Sequence, residues 1–138
     1  MSKFLKFSGF FLITLSFVFI SCFDDADLVA KSEIFPAYTI TASQLYTEYS
    51  ESKKAADNKY KKKWIVLSGE VVNTYNALNI KNITLGAGNT GLTIIEVYMR
   101  DADEFASVKV GQHVTVIGRY DGVGPSFGLE INGAFIKE

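Results

Sequence analysis

The chain has 138 residues, with 14 basic and 15 acidic side chains, one histidine, one cysteine and a formal net charge of −1. That length supports one domain with one core, and a charge near zero gives no overall basic field to draw a polyanion. One histidine and one cysteine exclude a multi-histidine metal centre and an internal disulfide.

In chain order, Lys3 and Lys6 precede an apolar stretch over residues 7–20, broken only by Ser8, Gly9, Thr14 and Ser16, and small Ser21 stands before Cys22. These are the three parts of an export signal. Fourteen helical residues cover about 21 Å against a hydrocarbon core of roughly 30 Å, so a cleaved leader is expected rather than a permanent span. The run Phe19-Ile20-Ser21-Cys22 resembles the lipobox of bacterial lipoproteins, with Phe19 where that pattern usually has leucine. The resemblance implies a signal peptide over residues 1–21 and acyl chains on Cys22, which would anchor the protein with nothing else crossing the bilayer. Loss of 21 residues that hold two lysines and no acid leaves 117 residues with 12 bases and 15 acids, a net charge of −3.

Residues 22–37 read as an acidic tether and linker, with Asp24, Asp25 and Asp27 at its start and Pro36 near its end. About fourteen extended residues at roughly 3.3 Å each would reach some 45 Å. The aspartates also resemble the acidic export tag of some surface lipoproteins in Gram-negative lineages. The expected location is therefore the bacterial cell envelope, lipid-anchored in the outer membrane, with the periplasmic and surface faces both open.

The domain is expected over residues 38–138. Thr41-Ala42-Ser43-Gln44 matches a capping box and predicts a helix start. Leu45, Tyr49, Ala56 and Tyr60 then fall on one helical stripe, while Glu48, Glu51, Lys54, Asp57 and Lys61 can face water. After Lys63 the period becomes two. Strands are predicted over residues 64–75, 83–85, 92–99 and 113–120, with a fifth carrying Phe127, Leu129, Ile131, Gly133 and Phe135 in alternation. Gly69 inside the first strand is the expected point of a bulge or sharp bend, and Trp64 is expected to plug one end of the core. Together these give a mainly β fold with one N-terminal helix: a five-stranded OB-fold-like barrel preceded by an amphipathic helix. A half-open antiparallel sheet crossed by the helix would use the same residues.

Three runs carry a family resemblance: Ala42-Ser43-Gln44-Leu45, Ala55-Ala56-Asp57-Asn58-Lys59-Tyr60-Lys61, and Trp64-Ile65-Val66-Leu67-Ser68-Gly69-Glu70-Val71. They resemble the opening of the tRNA anti-like OB-fold proteins, and Val110-Gly111-Gln112-His113-Val114-Thr115-Val116-Ile117-Gly118 is similar to that family's fourth strand and glycine turn. The likeness spans about residues 40–138. It implies the fold and an exported or lipid-anchored protein, and it brings no shared catalytic residues.

Lys53, Lys54, Lys59, Lys61, Lys62 and Lys63 form a basic cluster, which could meet phosphate. Lysines near a helix C-terminus are favoured by the macrodipole in any case, so a solvated face is the simpler reading and nucleic acid an unfavoured partner. Barrels of this type bind ligands across their second and third strands. The candidate ligand residues are accordingly Ile94, Glu96, Tyr98 and Arg100 on the outer face, with Tyr75, Tyr120 and Phe127 near the loops, whose rings could stack on bases or sugars. His113 reads as a hydrated surface imidazole, and Asp101, Asp103 and Glu104 lack the spacing of an EF-hand. The glycine-rich run over residues 86–91 is followed by a strand rather than a helix, and so reads as a hairpin turn.

The expected function is a lipid-anchored, non-enzymatic binding or interaction module without cofactors, whose partners are the membrane and an envelope protein or glycan. The alternative is a nucleic-acid-binding OB-fold protein that uses the lysine cluster and exposed aromatics.

Overall fold

The computed structural model describes residues 25–88 and 94–138. The described residues form six strands and three α-helices, in the order β1 (Tyr38–Thr41), α1 (Ala42–Glu51), α2 (Lys53–Tyr60), β2 (Trp64–Ala77), β3 (Ile80–Gly86), β4 (Ile94–Met99), α3 (Ala102–Ser107), β5 (His113–Val123) and β6 (Leu129–Ile136). The sheet order is β1-β2-β3-β4-β6-β5, and β2 also pairs with β5, which closes the last five strands into a barrel. The long β2 makes closure possible. Its first half, Trp64 to Glu70, pairs with β5, and its second half, Val71 to Ala77, pairs with β3.

The mainly β, OB-like barrel expected from the sequence is present, with one strand more. β1 adds in parallel to the start of β2, with Tyr38 opposite Ile65 and Thr41 opposite Ser68. The Thr41 hydroxyl then accepts the Gln44 N–H at 3.1 Å and starts α1. The expected single helix is broken at Ser52, whose extended backbone ends α1 and whose hydroxyl caps α2 by accepting the Ala55 N–H at 3.2 Å. Leu45, Ala56 and Tyr60 of the predicted stripe are buried on the barrel, and Tyr49 packs partly against it.

Two register shifts set which side chains face out. In β2, Val71 pairs with Leu85 while Asn73 pairs with Thr84, so one extra residue, Val72, bulges. The bulge lies there and not at Gly69, which pairs in register with Val114. Gly69 instead lets α1 approach, since a Cβ on it would sit 3.0 Å from the Ala42 Cβ. In β6 the shift falls at Gly133, with φ of 61°: Leu129 and Ile131 enter the core, and beyond the shift Ala134 does. The expected alternation therefore fails at both ends of β6. Phe127 precedes the strand, and Phe135 lies outside the main core beneath the Lys31 ammonium.

Trp64 is only partly buried and stacks on the Arg100 guanidinium, 5.7 Å from its carbon to the ring centre, instead of plugging the core. The core ends instead in a run of rings, Tyr38 against Tyr60 at 5.1 Å and Tyr60 against Tyr120 at 6.1 Å, both edge to face.

The stretch read as a free linker is docked over its described part. A short 3-10 turn, Asp25–Leu28, buries Ala26 completely, and Arg100 holds the strap by donating to the carbonyls of Val29 and Ala26 at 2.6 and 2.9 Å.

Candidate functional site

The bulge at Val72 decides what the outer face of β2 displays. Ile65, Leu67 and Val71 share a parity and face the core; strict alternation would send Asn73 and Tyr75 in after them. One extra residue reverses the phase, and Tyr75 emerges 52% exposed.

On that face the registers of β2, β3 and β4 align two cross-strand rows. Tyr75 stands opposite Asn82, and Asn82 opposite Tyr98; Asn73 stands opposite Thr84, and Thr84 opposite Glu96. With Ile80, Ile94 and Ser126 they line a cleft of about 360 Å³.

Its electrostatics are acidic. Glu96 is largely covered, and its carboxylate Oε2 accepts from the Tyr98 hydroxyl at 3.3 Å and from the Ser126 hydroxyl. Burial, followed by the charges of Glu96 and Glu130, pushes the Tyr98 phenol up to about 12, so it stays a neutral donor at any physiological pH. Asn82 is 93% buried, yet its side-chain carbonyl oxygen has no hydrogen-bond partner.

The loop between β5 and β6 rims the cleft. Ser126 comes from it, and Phe127 is 87% exposed with φ of 65°, a left-handed conformation that disfavours a bulky residue.

The seven candidate ligand residues thus divide. Tyr75, Ile94, Glu96 and Tyr98 line one cleft, and Phe127 stands on its rim loop. Arg100 does not join them, because β4 ends at Met99 and the guanidinium turns to the strap, also donating to the Gly133 carbonyl at 2.8 Å. Tyr120 is fully buried, and its hydroxyl donates to Asp57 at 2.8 Å. Asn73, Asn82, Thr84 and Ser126 were missed. Asn82 and Thr84 alternate with Ile83 and Leu85, a signal for a strand longer than residues 83–85.

The lysine cluster is partly engaged elsewhere. Lys59 pairs with Glu48 at 2.8 Å and lies over the rings of Tyr38 and Tyr60; Lys62 reaches Asp121 at 3.3 Å; Lys63 lies over Tyr38. Lys53, Lys54 and Lys61 surround a separate recess with Asp57 and Asn58, which shares no residue with the cleft. His113 is exposed at the start of β5. Asp101 caps α3, accepting from the Asp103 and Glu104 N–H groups, and among the described residues no three His, Cys, Asp or Glu side chains gather as a metal site. Cys22 and residues 89–91 of the glycine-rich run lie outside the described residues, as do residues 92–93 of the predicted third strand. Among the described residues no helix is long and apolar enough to cross a membrane.

The tRNA_anti-like family model matches residues 2–127. A crystal structure of a lipoprotein from Klebsiella pneumoniae subsp. pneumoniae MGH 78578, provisionally described as nucleic acid-binding, shares the fold at a TM-score of 0.60. It is 14% identical, over 72% of this chain and 91% of that one. The engineered OBody AM3L15, solved bound to hen egg-white lysozyme, aligns at a TM-score of 0.43 and 18% identity over 59% of this chain and 85% of its own, too distant to bear on function. No match was found among curated protein sequences.

Proposed function

Because the chain belongs to the tRNA anti-like family, we propose that it is a lipid-anchored, non-catalytic binding module of the bacterial cell envelope that takes its ligand on the β2–β3–β4 face. One observation carries the ligand face: a bulge turns Tyr75 outward into a row with Asn82 and Tyr98, above a cleft whose polar groups the fold leaves incompletely paired. A residue re-aimed at some cost to the ladder is a common mark of a binding surface. The anchor rests on the lysine, apolar and small-residue order of the leader ending in Cys22. The Klebsiella neighbour being a lipoprotein agrees with it.

A second reading, binding of nucleic acid, has in its favour the description of that neighbour and the recess around Lys53, Lys54 and Lys61. It predicts affinity that falls steeply with salt and is lost in Lys54→Glu with Lys61→Glu.

The deciding experiment combines radiolabelled palmitate incorporation with site-specific photocrosslinking in cells. Label in wild type that disappears in Cys22→Ala, with release of the protein from membranes, supports the anchor. Crosslinks to an envelope component from position 75 and none from position 54 support the ligand face. The reverse pattern, or unlabelled protein inside the cell, would sink the proposal.

A further inference from the structure

The cleft on β2–β4 has a chemistry that narrows its ligand, and the inference rests on the reading of that face as the binding platform. Among the described residues that line it there is no lysine or arginine. Its charge is the Glu96 carboxylate, with Glu130 close enough to act on the Tyr98 phenol. A phosphate laid here would face that carboxylate with no cation to offset it. The basic recess beside α2 is a separate place.

The polar groups need donors. The Glu96 carboxylate serves as acceptor, and its hydrogen bonds from Tyr98 and Ser126 both arrive at Oε2. The Asn82 Oδ1 is an acceptor without a partner in a residue that is 93% buried, where an unmade bond costs about 1–3 kcal/mol. It sits in the middle of the row, flanked by Tyr75 and Tyr98 on the neighbouring strands. The atom has no contact with solvent, so a donor reaches it only where a flanking ring moves aside, and of the two rings Tyr75 is the exposed one.

The apolar parts are faces, not a deep hole. Tyr75 offers a ring, Ile80 and Ile94 are 44% and 38% exposed, and the row of three residues spans two strand spacings, about 10 Å. A flat ligand with one apolar face and hydroxyls around its edge fits these terms. We infer that the cleft binds an uncharged oligosaccharide segment of a glycan, with a sugar ring on Tyr75 and its hydroxyls donating to the Asn82 carbonyl and Glu96.

The test uses the full chain in detergent micelles, titrated with neutral oligosaccharides of three to six hexose or N-acetylhexosamine units and, in parallel, with the oligonucleotide dT10. Calorimetry gives affinity, and NMR shifts of Tyr75, Asn82 and Tyr98 give location. The expected result is a neutral oligosaccharide that shifts those three residues, is indifferent to salt between 50 and 300 mM, over which the Debye length shortens about 2.5-fold, and weakens at least tenfold in Tyr75→Ala and in Asn82→Leu. Asn82→Leu replaces the amide, and with it the unmet acceptor, by an apolar side chain of similar size, so its circular dichroism and melting should stay close to wild type, which separates lost binding from lost fold. Binding of dT10 at the same three residues would overturn the sugar assignment while leaving the platform. Binding of either probe that Tyr75→Ala and Asn82→Leu do not weaken would overturn the platform as well. No shift from any oligosaccharide would also overturn the assignment.

Discussion

At the scale of single residues, the most consequential charge is Asp121 on β5. It is held by Arg119, with Nε to Oδ1 at 2.8 Å and Nη2 to Oδ2 at 2.9 Å, and by the Asn132 amide at 2.7 Å; both charged side chains are about nine-tenths buried. Burial by itself would raise its carboxyl, but the Arg119 and Asn132 hydrogen bonds and the nearby positive charges outweigh that and hold it below the usual aspartate value. A depressed carboxyl contributes stability that is present above the unfolded aspartate value, near 3.8, and is lost as pH falls through the lower folded value. Asp121→Asn is expected to cost about 3 kcal/mol at neutral pH, because it takes from the buried Arg119 guanidinium the charged carboxylate that accepts two of its hydrogen bonds. Its stability should also fall less than that of wild type on acidification below about pH 4, a comparison that urea unfolding across pH makes directly. Phe127 gives the opposite case. Exposed and in a left-handed conformation, it contributes no burial and carries strain, so Phe127→Gly should leave stability unchanged or raise it by up to about 1 kcal/mol. A loss of more than about 1 kcal/mol in the same unfolding assay would show that the ring supports the fold and is not kept for contact at the cleft rim.

At the scale of elements, what could be read from the sequence was whatever depends on neighbours along the chain. The Thr41 cap, the helical stripe and the alternation of Ile95, Val97 and Met99 are local, and each is where the pattern placed it. The phase of a strand beyond a bulge is not local. Nothing in the order Val71-Val72-Asn73 states that Val72 is the extra residue, because the shift is defined by the register of β3 across from it. The same holds for β1, four residues whose parallel partner lies far along the chain. Tyr120 was legible, since it shares the parity of Val114 and Val116, which face the core; its place beside a glycine-rich turn drew it to the loop. Four of the nine residues that line the cleft were thus visible as residue types, Tyr75 on β2 and Ile94, Glu96 and Tyr98 on β4, while the β3 floor needed the paired register. Gly69 has an expected consequence at this scale. Gly69→Ala would press on the buried Ala42 at the first turn of α1 and should cost roughly 1–3 kcal/mol. In an Ala42→Gly background that cost should shrink, because the two Cβ atoms are the colliding pair. A double-mutant cycle with no coupling would place the strain elsewhere.

At the scale of the whole molecule, the docked strap bears on how the barrel would sit on a membrane under the proposed acylation of Cys22. A linker of fourteen free residues would let the domain roam to some 45 Å. Ala26 is instead fully buried where the backbone of Gly133 passes. A Cβ on Gly133 would fall 2.8 Å from the Ala26 carbonyl carbon and oxygen, so the contact requires glycine. Arg100 closes the strap from the other side, and Lys31 binds Glu104 at 2.9 Å while lying over Phe135. Among the described residues the docked strap begins at Asp25, three positions along from Cys22, and fully extended chain over that separation reaches on the order of 10 Å. With acyl chains on Cys22, the strap side of the barrel is therefore expected to lie close against the headgroups in a fixed orientation. Arg100→Ala removes three hydrogen bonds to strap and β6 carbonyls and should loosen the strap, which the Arg119–Asp25 and Lys31–Glu104 pairs still hold, and so lengthen the tether in part of the population. Neutron reflectometry of the lipidated protein on a supported bilayer reads the separation. Wild type should show a gap of about 10 Å and Arg100→Ala a wider, more diffuse one. A wild-type gap beyond about 30 Å would mean that the strap does not stay docked when the chain is anchored.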